Sequence, residues 1–151
     1  MINWYSNRKV MIFFDKLPSL SVRYEVPSMP KEERKSIEKY PFFCKQELEV
    51  ILYDIKKDKT YSFKIPKGYC YDGASIPRFF WRIIGSNTDN KFLVPALVHD
   101  VLCEHHEYVD YDRAFSTDVF NALLEASGIF APKRFFMKNS VALFQTLFCH
   151  W

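Results

Sequence analysis

Short apolar runs rich in β-branched and aromatic residues crowd the first part of the chain, and longer runs with helical spacing fill the last part. Val10-Met11-Ile12-Phe13-Phe14 is the first such run. After Pro18, residues 20–26 alternate apolar with polar as a half-buried strand does. Two strands are predicted there. Pro27 and Pro30 break the pattern, and residues 31–40 interleave Glu with Lys around Ile37, their one strongly apolar residue. That stretch reads as a solvated loop or short exposed helix without function. Phe42 and Phe43 return to apolar sequence, and residues 48–55 and 60–65 read as strands joined by the polar turn Lys56-Lys57-Asp58-Lys59, which predicts a hairpin.

Beyond the turn Pro66-Lys67-Gly68 and the loop that follows it, the period lengthens. Residues 78–84 predict a short helix closed by Gly85, and residues 86–90 a loop. Pro95 suits the first turn of a helix whose body is residues 96–105. Residues 110–126 carry Phe115, Val119, Ala122, Leu123 and Ala126 at helical spacing before Gly128, and Pro132 restarts a last helix toward Trp151. Strands come first and helices after, so the fold class is α+β: a small antiparallel sheet from the N-terminal half packed by three C-terminal helices. With 151 residues, 48% of them hydrophobic and 18% aromatic, one core suffices. A single domain over 1–151 is expected, mainly strands in 1–66, loop and short helix in 67–90, and helices in 91–151.

Charge narrows the partners. The net charge is only +3, with Lys and Arg spread among Asp and Glu, so no basic patch points to nucleic acid. Cys44, Cys70, Cys103 and Cys149 are widely spaced without a Cys-x-x-Cys, which reads as reduced intracellular thiols. Met1-Ile2-Asn3-Trp4 begins no signal peptide, and no run reaches the roughly eighteen apolar residues of a membrane span. The aromatic C-terminal segment, with Phe148 and Trp151, is expected to dock on the sheet. If exposed, it offers a surface for self-association or for a membrane, and Trp4-Tyr5 pose the same alternative.

Candidate chemistry gathers around Tyr71-Asp72-Gly73-Ala74-Ser75-Ile76-Pro77. Asp-Gly marks a turn and Pro77 fixes the exit from it, so the loop is short and stiff. Ala96, His99, Asp100 and Cys103 recur at three- and four-residue spacing and share one helix face. Asp118 lies between Phe115 and Ala122 at similar spacing, which points its carboxylate toward the core. A carboxylate there needs a partner, since burying an unpaired ion costs several kcal/mol. His99 is the nearest candidate if the two helices pack antiparallel; Arg78, Arg113 and Ser75 are others.

The motif from Tyr71 to Pro77, Trp81, His99-Asp100, and Asp118 followed by Phe120 and Leu123-Leu124 together resemble the phage and prophage family called domain of unknown function 1353. The resemblance covers about residues 65–128. It implies a phage or prophage origin and a small single domain, but no reaction; synthesis in the host cytoplasm is expected, with the virion an alternative location and phage structural proteins or self-association the alternative partners. Cys103 departs from that family, which often carries Tyr four residues after its His.

Three readings of the cluster follow. In the first, Asp118 orients His99 as general base toward a water, with Ser75 in the same catalytic group. Asp100 and Asp72, with carbonyls of the loop at Gly73, then hold a divalent cation, calcium before zinc, and Arg78 joins Asp72 and Gly73 in binding. That layout is similar to the His-Asp site of secreted calcium-dependent phospholipases, without their disulfides and calcium loop, and implies a hydrolase for lipid or cell-envelope substrates. In the second, His99, Asp118 and Ser75 form a buried hydrogen-bonded network that locks loop to helices, and the chain is a non-enzymatic virion or tail component or interaction module. In the third, His99, Cys103 and His106, with Cys70 as a fourth ligand, hold zinc.

Overall fold

The computed structural model describes residues 1–22, 28–40, 42–71, 93–105, 111–128 and 139. Its strands are β1 (Ile2–Ser6), β2 (Val10–Phe14), β3 (Leu20–Val22), β4 (Phe42–Cys44), β5 (Leu48–Asp54), β6 (Lys59–Ile65) and β7 (Cys70–Tyr71). Its main helices are α1 (Lys31–Lys39), α2 (Leu93–Glu104) and α3 (Arg113–Ala126). The chain is α+β, with antiparallel strands in the N-terminal half, α1 set between β3 and β4, and α2 and α3 after the last strand.

The strands divide between two sheets, in the orders β1-β2-β5-β6 and β3-β4-β7. Pro18 lies between β2 and β3, and Lys45-Gln46-Glu47 separate β4 from β5, so the chain changes sheet at both points. β1 is a strand that the hydrophobic pattern left unassigned. It joins β2 through Asn7, whose side-chain oxygen accepts from the N–H groups of Lys9 and Val10 at 2.8 and 2.9 Å. An Asn side chain that bonds the backbone two and three residues on stabilises such a turn.

In β2 and β5 every second residue faces inward: Val10, Ile12 and Phe14 on one, Leu48, Val50 and Leu52 on the other. The register sets Ile12 opposite Leu52 and Phe14 opposite Val50, so the two apolar rows coincide. The predicted hairpin is β5–β6, with Leu48 opposite Ile65. Gly68, at φ +86°, turns the chain from β6 back into β7, a conformation that a Cβ would strain.

The charge-rich segment forms α1, with Ile37 its buried residue. Asp112 caps α3 by accepting from the N–H of Phe115 at 2.8 Å, and Gly128, at φ +76°, follows its end. α3 packs against α2, β1 and β2, and α2 also meets β7. Trp4 and Tyr5 of β1 are half-buried against this core; Trp4 meets Phe14 edge to face, and the Tyr5 hydroxyl donates to Glu125 at 2.6 Å. No described helix is long and apolar enough to cross a membrane. The short helix expected at 78–84, the end of the strand at 20–26 and the helix toward Trp151 lie outside the described residues, with Phe148 and Trp151 themselves.

Candidate functional site

α2 carries an apolar sequence, and the burial of Leu97, Val98, Val101 and Leu102 takes His99 and Asp100 inside with them. His99 is 0% exposed and Asp100 6%. Ionisable groups at that depth require partners, and neither is without one. The His99 ring packs on Phe120 of α3, with centroids 5.0 Å apart. One turn along α2, Cys103 Sγ lies 3.7 Å from His99 Nδ1 and 3.8 Å from Nε2. Near-equal distances to the two ring nitrogens put the sulfur in line with neither N–H direction, so this is a packing contact rather than a strong hydrogen bond.

Tyr71, the last residue of β7, is buried, donates its hydroxyl to the Leu93 carbonyl at 3.0 Å and packs against Phe42. Burial pushes the Tyr71 phenol well above the ordinary range, and the nearby negative charge of Asp100 raises it further. The end of β7 is thereby fixed to the first turn of α2 with Asp100 close by. Asp72 follows Tyr71 in the chain.

Asp118 does not meet its expectation. Its side chain is 31% exposed and its Oδ1 lies 3.5 Å from Nζ of Lys9, in the turn between β1 and β2. The reason is angular. Residues two apart on a helix point about 200° from each other, and Phe120, two residues beyond Asp118, packs on His99. The buried arc runs from Ala122 and Phe115 through Val119, Leu123 and Ser116 to Phe120 and Leu124, which leaves Asp118 beyond its margin. The spacing to Phe115 and Ala122 was read correctly, but those two residues form the edge of the apolar stripe, not its centre. Lys9, its partner, is not among the candidates above; the polar Asn7-Arg8-Lys9 turn just before the apolar run Val10–Phe14 is the signal for it.

Asp72, Gly73, Ser75 and Arg78, and His106 of the zinc set, lie outside the described residues. Among the described residues no group of three or more His, Cys, Asp or Glu is placed to hold a metal ion, and Cys44, Cys70 and Cys103 are not joined in disulfides.

Residues 49–141 match the family described as "Protein of unknown function (DUF1353)". A relative from Sinorhizobium fredii (strain NBRC 101917 / NGR234), named "Uncharacterized protein y4jT", is 31% identical over 67 residues. That match takes in 40% of this chain and 20% of the relative, so the chain spans about a fifth of the curated protein it resembles. No solved structure matches.

Proposed function

Since the chain belongs to the DUF1353 family, whose description assigns no activity, we propose on the geometry that it is a non-enzymatic interaction module of phage or prophage origin, a virion or tail component. In this reading the His99-Asp100 pair is architectural. The observation that carries it is the burial of His99, whose imidazole is 0% exposed and packed on Phe120. A general base must reach the proton it abstracts, directly or through one water. The turn of Asp118 toward Lys9 supports the same reading, because it removes the carboxylate that was to orient the imidazole. A match over a fifth of a longer relative suits a module combined with other segments.

Calorimetry with calcium, on wild type, His99→Ala and Asp100→Asn with circular dichroism as the folding check, tests this. The expected result is no saturable heat from calcium, with His99→Ala losing about 2–4 kcal/mol of stability, the range for a large side chain removed from a packed core. Calcium binding by wild type that a folded Asp100→Asn lacks would sink the proposal.

A second reading, a metal-dependent hydrolase acting on lipid or cell-envelope substrates, is favoured by one observation. Asp100 is buried on α2, and the Tyr71 hydroxyl ties the residue before Asp72 to the first turn of that helix. The same titration decides between the two.

A further inference from the structure

We draw no further inference here: the strongest candidate, the charged cavity of about 200 Å³ between the β1–β2 turn, the β5–β6 turn and the first turn of α3, carries nothing, because its charges pair with one another, Lys9 with Asp118 and Lys57 with Asp112, and what remains is a helix N-terminus at which nothing else in the structure points to a ligand.

Discussion

His99 of α2 lies against Phe120 of α3, ring centroids 5.0 Å apart and planes inclined at 54°. This contact fixes which side of α3 faces α2, and it directs Asp118 away from the imidazole toward Lys9. Tyr111, just before α3, reaches back to donate its hydroxyl to the Leu102 carbonyl. Together the two contacts run in opposite chain directions, the arrangement of an antiparallel helix pair. The pairing of His99 with Asp118 was conditional on antiparallel packing of these helices; the packing is antiparallel, but an aromatic ring stands where the carboxylate was expected.

Substitutions at the two α3 positions should therefore differ sharply. Phe120→Ala removes a fully buried ring and is expected to cost about 3–5 kcal/mol. Asp118→Asn breaks a surface pair with Lys9, whose side chain is 66% exposed, and is expected to change stability by less than about 1 kcal/mol. Urea denaturation of both variants checks this. A loss of several kcal/mol in Asp118→Asn would mean that its carboxylate pairs with a buried group after all.

The β5–β6 hairpin was legible because an apolar, β-branched run and an alternating one flank a polar turn. α2 and α3 were legible because their apolar residues recur at helical spacing, with Gly128 marking the end of α3. β1 was missed, since Ile2-Asn3-Trp4-Tyr5-Ser6 carries only half-buried or exposed side chains and no clear alternation. The division into two sheets was not legible either, because which strands pair depends on contacts distant in sequence. His99 and Asp100 stood out as polar residues in an apolar helix, and the structure buries both. The orientation of Asp118 was misread because spacing to buried neighbours locates the edge of a helix stripe as readily as its centre.

Alkaline pH should destabilise the protein through two phenols. Burial, with the charge of Asp100 second, raises the Tyr71 phenol; burial, with Cys103 second, raises Tyr111. A folded pKa above the unfolded one means stability fully present below the ordinary phenol value of about 10 and lost as pH rises toward the folded value. Absorbance at alkaline pH should show both phenols ionising only together with unfolding. Tyr71→Phe is expected to lose about 0.5–1.5 kcal/mol at neutral pH, for the bond to Leu93, and to show a shallower alkaline decline. Smooth ionisation of all nine tyrosines of the chain without unfolding would contradict this.

The thiols should separate by reactivity. Cys44 is 1% exposed, and burial raises its pKa more than the Gln46 backbone and Lys16 lower it. Thiolate, the reactive form, is therefore scarce there and sterically shielded. Cys70 and Cys103 are partly exposed. Alkylation with iodoacetamide followed by peptide mass mapping should label both well before Cys44. Early labelling of Cys44 in folded protein would show that the second sheet opens locally.

Acid should act through Asp112 at the start of α3. Its carboxylate accepts from the Phe115 N–H at 2.8 Å and pairs with Lys57 at 3.0 Å, and these interactions, the backbone bond first, hold its pKa below the ordinary carboxylate value. A depressed folded pKa contributes stability that is present above the unfolded value of about 3.9 and is lost as pH falls through the folded one. The side chain is 54% exposed, so solvent screens the Lys57 pair and the cap dominates. Asp112→Ala should cost about 0.5–2 kcal/mol at neutral pH, the range for a lost N-cap. Asp112→Asn keeps an oxygen for the cap but no charge, so it should retain most of the neutral stability and lack this carboxylate's share of the acid decline. Thermal melts of the three proteins between neutral pH and pH 3 measure both effects. An Asn variant as unstable as the Ala variant at neutral pH would assign the contribution to charge instead of the cap.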